Sequence, residues 1–345
     1  MSVVVRPARL DTDGGCIIKL LSTHLNATYD RRRLEWVCCD NPEGLGRVWV
    51  SVDATTGEIV GTAAALSRRI YVDGEENTAW VFGDFCLNPQ YRSLGPALQL
   101  QRACLNVLKT NEGAFCYDFP SPSMVAVYKR LGFAITGRML RLAKLLRVDR
   151  KVREILKDPL ARRAVIAVGN TLLNLAPTKV TADEFLEITV HHGLCGEEFT
   201  LLAEQQRGKF EICLQRSAEY LNWRYVNNPF ATYEIITARR YGQLKGYAVW
   251  TQAREDASVV DLFGENNPAI VKALLAEVVA RLTNCGVTTL SLWLNESHPW
   301  FSWCSEMGFR QRDAVPMVCV PGPALGKSVD LRSAKWFLMQ GDRDG

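Results

Sequence analysis

The stretch FGDFCLNPQYRSLGPALQLQRAC, residues 82–104, passes from an apolar, strand-like run into a helical pattern through Arg92-Ser93-Leu94-Gly95-Pro96-Ala97. Beyond the turn, Ala97, Leu100, Cys104, Val107 and Leu108 recur at helical spacing, while Gln101, Arg102 and Lys109 fall on another face. Pro96 suits the first helical position, where its missing N–H costs nothing and its φ is already helical. Gly95 lets the backbone enter without a Cβ in the way. Spare amides at the positive end of a helix, with Arg92 just before them, make a site for a pyrophosphate. The same features also serve as a plain turn, so the surroundings have to decide.

Those surroundings repeat. Trp36 precedes Asn41-Pro42, and Trp223 precedes Asn228-Pro229, each in a W-x4-N-P pattern. A strand-like run and a glycine follow in both places, Gly61 and Gly246. Asp84 and Asp261 then stand before an Asn-Pro, and each copy closes on Gly-Phe, at Gly132-Phe133 and Gly308-Phe309. Five echoes in order indicate two related units, ending near Leu146 and near Val320. Local patterns predict a first strand at Val3–Arg6 and a helix at Gly15–Leu25. Hairpin strands follow at Arg47–Asp53 and Ile59–Ser67, then a turn between Ile70–Val72 and Ala79–Leu87. The fold class is α+β: two α/β domains, each a mixed twisted sheet flanked by helices. The expected division is 1–146, a basic helical connector at 147–186, and 187–345.

Composition narrows the function classes. The 345 residues carry a net charge of +4, too mild to argue for nucleic-acid binding. Eleven scattered cysteines, without a C-x-x-C pair, fit a reduced, cytoplasmic chain with buried thiols. The first residues lack the apolar core of a signal peptide. Between Arg138 and Arg163, ten Lys or Arg face three acids. That excess suits a solvated helical face, or contact with an anionic membrane surface or an acidic partner.

One strand beyond the opening stretch, SPSMVAVYKRLGF (residues 121–133) reads as a short helix. Val125 and Leu131 are expected to pack inward and Gly132 to end it. Here the sequence resembles the GNAT acyltransferase superfamily. The family's R/Q-x-x-G-x-G/A signature matches Arg92-x-x-Gly95-x-Ala97, and its Tyr-containing helix matches Tyr128 with Leu131-Gly132-Phe133. The resemblance covers residues 3 to about 146 well, and 187 to 320 as a worn copy.

The resemblance implies acetyl-CoA or another acyl-CoA as co-substrate, no metal, and direct attack by the amine of a small-molecule or sugar acceptor. The pyrophosphate would rest on the turn of Arg92, Ser93, Leu94, Gly95, Pro96 and Ala97, with Leu87 also among the cofactor-binding residues. The pantetheine would lie between strands Phe82–Leu87 and Ala114–Phe119.

Chemistry then assigns further roles. An alkyl amine with pKa about 10.4 is free at pH 7 in about one molecule in 2,500, a penalty of about 4.6 kcal/mol. A base is therefore needed; Asp84 is the first candidate and Asp118 the second. The leaving thiolate needs a donor, and Tyr128 is the candidate. Cys86 and Cys116 have no histidine near in sequence and are expected to serve packing.

The second copy lacks the Arg-x-x-Gly-x-Ala turn and has Cys304 where the first has Tyr128. It is expected to shape the acceptor cleft, with Trp223, Arg224, Tyr225, His298 and Trp300 as candidate lining. Two alternatives stay open: a Fem-type aminoacyl transferase, and a non-catalytic scaffold of polysaccharide or envelope assembly.

Overall fold

The computed structural model describes residues 2–110, 113–175, 185–325 and 329–343. Its first unit opens with β1 (Val3–Pro7), α1 (Leu10–His24) and α2 (Arg31–Cys38). The antiparallel strands β2 (Arg47–Asp53), β3 (Ile59–Val72) and β4 (Glu75–Leu87) follow. Then come α3 (Leu94–Leu105), β5 (Phe115–Asp118), α4 (Pro122–Arg130) and β6 (Gly137–Leu145).

Local chemistry explains several boundaries. Asp73 and Gly74 both have positive φ, 50° and 83°, which is the backbone a two-residue hairpin turn requires. Strand β3 runs unbroken through Arg68, where the sequence suggests an interruption. The Arg68 guanidinium stays inside because Glu43 Oε2 accepts from its Nε at 2.7 Å and both side chains are buried. Helix α1 starts earlier than expected. Asp13 accepts from the Arg9 amide and pairs with Arg6, which secures its first turn and holds the Asp13 carboxyl down to about 2.

Helices α5 (Asp149–Ile155) and α6 (Pro159–Leu175) join the units, and residues 176–184 of the expected connector lie outside the described residues. The second unit repeats the order: β7 (Leu186–His191), α7 (Glu197–Gln205), an added β8 (Ile212–Leu214), and α8 (Ala218–Leu221). Next are β9 (Glu234–Arg240), β10 (Gln243–Ala253), β11 (Asp256–Gly264), α9 (Pro268–Asn284), β12 (Thr289–Asn295), α10 (Phe301–Glu306) and β13 (Arg310–Pro321). A final short strand, β14 (Trp336–Phe337), pairs with β8.

The strands form one sheet in the order β1-β2-β3-β4-β5-β13-β6-β12-β11-β10-β9-β7. The units have exchanged their last strands. β6 pairs with β12 of the second unit, and β13 returns to pair with β5 of the first. Residues 138–145 are thus a central strand, and part of the local basic excess is used internally. Arg141 pairs with Asp313, Arg147 with Asp149, Arg150 with Asp256, and Arg153 with Glu255. Among the described residues no helix is long and apolar enough to cross a membrane.

The echoed tryptophans meet where the units join. Trp36 and Trp223 stack with ring centroids 4.6 Å apart, and the Trp223 indole donates to the Trp36 carbonyl. Both echoed asparagines make the same local turn: Asn41 Oδ1 accepts from the Glu43 amide and Asn228 Oδ1 from the Phe230 amide. His298 and Trp300, expected near a cleft, instead lie in the second unit's apolar core against Phe337.

Candidate active site

Strands β4 and β5 pair in parallel only from Ala79–Phe115 to Val81–Tyr117. Beyond that point they separate. On its other side β4 slips register against β3 between Thr62 and Ala64, and Asp84 takes φ +52°, uncommon for a residue with a side chain. The bulge turns β4 away from β5 and opens a cleft.

Two adjoining cavities fill the opening and share Leu25, Phe85, Ser121 and Met124. The outer one, of about 390 Å³, is lined by Leu87, Arg92, Ser93, Leu94 and Ala97 together with Cys86 and Val127. The inner one, of about 350 Å³, is lined by Asp84, Asp118, Tyr29, Arg33 and Gln101 against Phe82, Phe85 and Phe119.

Helix α3 begins at Leu94, so Pro96 is its third residue, not its first as the sequence suggested. The reason lies upstream. A short 3-10 turn at Pro89–Tyr91 ends in the Ser93 amide bonding to the Tyr91 carbonyl, and Ser93 is already extended enough to start the helix. Pro96 fits its place because the first-turn amides have no intrahelical acceptor in any case. Those of Leu94 and Gly95 stand at the mouth of the turn, and the Ser93 side chain caps neither. A Cβ built on Gly95 meets nothing within 4 Å, so the approach to them is open. Arg92 is fixed across the turn: Nε donates to the Leu87 carbonyl and Nη2 to that of His24. Gly95 is exposed while Pro96 is buried, and neither lines the outer cavity.

In the inner cavity each of two carboxylates accepts a hydrogen bond from a phenol. Tyr29 donates to Asp84 Oδ2 at 2.6 Å, and Tyr128 donates to Asp118 Oδ2 at 2.7 Å. Burial, then the neighbouring carboxylate, pushes both phenols well above their ordinary range, so both keep their protons. Gln101 Nε2 also donates to the Tyr128 oxygen at 2.9 Å. Tyr128 is 1% exposed and lines neither cavity. On α4 it is Val127 and Tyr128 that are buried, whereas Val125 and Leu131 are only half-buried. Burial likewise raises the Cys86 and Cys116 thiols, so neither is a ready nucleophile.

The structure thus brings Asp84 and the residues 92–94 and 97 to one continuous cleft, with Tyr128 behind its wall. The sequence analysis missed Tyr29, Arg33 and Gln101. Their separation from the motif is long, and only the fold connects them.

The second unit offers a comparison within the chain. β11 and β12 pair from Asp256–Thr289 to Val259–Leu292 and then separate in the same manner. Here the opening is filled by the chain's own residues 338–342. The Asn295 amide donates to the Leu338 carbonyl, Leu294 bridges Met339, and Ser258 Oγ donates to Gln340 Oε1. A Cβ on Gly341 would lie 1.9 Å from the Tyr225 hydroxyl oxygen, so the packing leaves no room. Asp261, the echo of Asp84, is buried against Arg216, which also holds Asp342. The start of α9 is capped by Asn267, whose side chain accepts from the Ala269 amide. Arg224 and Tyr225 line a separate cavity of about 210 Å³ with Gln340, Gly341 and Arg343.

The fold has known counterparts. A protein of Enterococcus faecalis described as a probable N-acyltransferase superposes with TM-score 0.64 at 12% identity, over 93% of this chain and 72% of that one. A GCN5-related N-acetyltransferase from Anabaena variabilis gives 0.64 at 12% identity, over 92% and 72%. N-myristoyltransferase of Saccharomyces cerevisiae, solved with bound myristoyl-CoA, gives 0.57 at 12% identity, over 92% and 82%. A search of curated proteins finds no sequence match. Residues 17–136 match the family described as Acetyltransferase (GNAT) domain, a span that contains α3, the turn before it and the whole β4 bulge. That match lies wholly within the first unit, which is similar to the GNAT acetyltransferase domain over those residues.

Proposed function

We propose that the chain transfers an acyl group, acetyl in the simplest case, from acyl-CoA to the amine of a small acceptor. The observation that carries this reading is the uncapped start of α3 opening onto the same cleft as Asp84. Where α9 is capped by Asn267 and its cleft is filled, α3 presents amides and an empty approach. The Leu94 and Gly95 amides, at the positive end of α3, suit a diphosphate. The edge of β4 beyond Val81 has lost its partner strand and offers backbone groups to an amide-bearing pantetheine arm.

In this reading the thioester lies beside the bulge. The amine nitrogen attacks the thioester carbonyl carbon, the C–N bond forms, the C–S bond breaks with its electron pair left on sulfur, and the second proton shed by the new amide nitrogen goes to the departing thiolate, giving free thiol. Asp84 takes the ammonium proton before or during attack, and Tyr29 holds the carboxylate in place. Tyr128 acts through Asp118, fixing that carboxylate on the opposite wall of the cleft. The second unit, its own opening filled, reaches the acceptor space through Phe230, whose ring centre lies 5.8 Å from the central carbon of the Arg33 guanidinium.

Calorimetric titration with acetyl-CoA tests the binding half of the proposal, and release of free thiol on adding primary amines tests the transfer. Saturable binding with a single site is expected. Absence of heat, together with absence of thiol release, overturns it.

A further inference from the structure

The inner cavity is lined by groups of opposite charge: Asp84 and Asp118, and Arg33, the only Lys or Arg among its lining residues. Among the described residues the Arg33 guanidinium makes no hydrogen bond and no ion pair. It is held instead by two rings, with its central carbon 5.6 Å from the centre of Tyr29 and 5.8 Å from that of Phe230. Held in this way, its five N–H donors remain available.

The helix that carries it adds a second observation. α2 opens with Arg31, Arg32 and Arg33 and has no acid in its first turn. Three cations at the positive end of a helix oppose its dipole. Asp30 caps the Arg33 amide and Glu35 pairs with Arg31, but neither reaches the Arg33 side chain. An anion brought in from the cleft would relieve that arrangement. The spacing is set by one residue, since Tyr29 gives its hydroxyl to Asp84 and its ring face to Arg33.

We infer that the acceptor is a zwitterion-like amine: an amino group presented to Asp84, an anionic group a few bonds away bound by Arg33, and an apolar body against Phe82, Phe85 and Phe119. This rests on the transferase reading above and adds the substrate class. A planar guanidinium takes a carboxylate or a phosphonate in a paired, two-point contact, and both are tested below. Phe230 comes from the second unit, so the unit whose own cleft is filled contributes to selecting the acceptor in the first.

The test uses the full chain with acetyl-CoA and a matched set of acceptors: L-phenylalanine, 1-amino-2-phenylethylphosphonate, L-phenylalaninamide and phenethylamine, with the leucine series in parallel. Thiol release gives kcat and KM for each. The expected result is kcat/KM at least tenfold higher for one anionic form than for its neutral partners. The carboxylate and phosphonate arms show which anion is preferred. Arg33→Gln should collapse the anionic-to-neutral ratio about 10- to 100-fold, mainly through KM, and Arg33→Lys should restore part of it.

Equal use of neutral amines, turnover of no member of the set, or an Arg33→Gln loss that is the same for anionic and neutral acceptors would each overturn the inference. So would a rise in the acetyl-CoA Kd of Arg33→Gln with acceptor preference intact, since Arg33 would then serve the donor. Calorimetry with acetyl-CoA separates the two levels. If the wild type does not bind it, the transferase reading falls. If it binds but shows no anionic preference, only the acceptor assignment falls.

Discussion

Gly95→Asp separates ligand binding from folding, because its two expected effects have opposite signs. Gly95 is exposed, does not have positive φ, and a Cβ there meets no atom within 4 Å, so the side chain enters without strain. It is the second residue of α3, where an acid complements the dipole and glycine's conformational entropy is removed. Stability should rise by about 0.5–1 kcal/mol, or about 1 °C in Tm for a chain of this size. A carboxylate about 5 Å from a diphosphate, at an effective dielectric of 40–80, repels its two charges by about 2–3 kcal/mol. Acetyl-CoA should therefore bind about 30- to 150-fold more weakly. Because the repulsion is screened, the deficit should shrink as salt is raised. Titration calorimetry and thermal melts on the same preparations supply both numbers. Unchanged affinity would refute the placement of the diphosphate, and a loss of affinity accompanied by a lower Tm would show that the turn had simply been damaged.

Asp84→Asn keeps an oxygen for the Tyr29 hydroxyl but removes the base, so kcat should fall by about 10²- to 10⁴-fold with the acetyl-CoA Kd within twofold; a kcat within threefold of wild type would exclude Asp84 as proton acceptor. Arg216→Met leaves buried Asp261 without its cationic partner and Asp342 with only Arg68 at 3.6 Å, and should cost about 3–5 kcal/mol in urea unfolding; a loss below 1 kcal/mol would show that the cluster is solvated. Burial, with Arg216 nearby, pushes His298 down to about 3, so below pH 6.5 the unfolded chain takes up a proton that the folded chain refuses. That contribution is whole above pH 6.5 and is lost as pH falls towards 3. Between pH 7.5 and 4.5 the wild type should lose about 2–3 kcal/mol more than His298→Asn, and equal losses would show that His298 is protonated in place.

Much of the first unit follows from local pattern. The hairpin at Asp73-Gly74, a helix opening in the Arg92–Ala97 turn and the end of α4 before Gly132 each depend on a few adjacent residues, and residue chemistry fixes them to within a residue or two. The echo between the two halves was legible in Trp36 and Trp223, each beside the same asparagine pattern, but the stacking of the two rings on each other was not. The exchange of β6 and β13 was not, since both strands are apolar enough to fit either neighbour and the choice is made by non-local pairing. Arg68 looked like a strand break because its partners, Glu43 and Asp342, are distant in sequence. The same distance hid the filling of the second cleft by residues 338–342.

Asp84 and residues 92–94 and 97 line the cleft, as their expected places on strand and turn allow, whereas Gly95 and Pro96 do not. The state of Tyr128 could not be read from the sequence, because the destination of its proton depends on how β5 and α4 pack. Arg33 gave only a weak signal, three arginines opening a helix, and acquired meaning once Tyr29 linked it to Asp84.

The most direct measurement is a crystal structure of the chain with CoA. The account predicts diphosphate oxygens about 3 Å from the Leu94 and Gly95 amide nitrogens and the sulfur in the inner cavity beside Asp84. A nucleotide bound at the second unit's cleft, or a sulfur directed away from the β4 bulge, would contradict it.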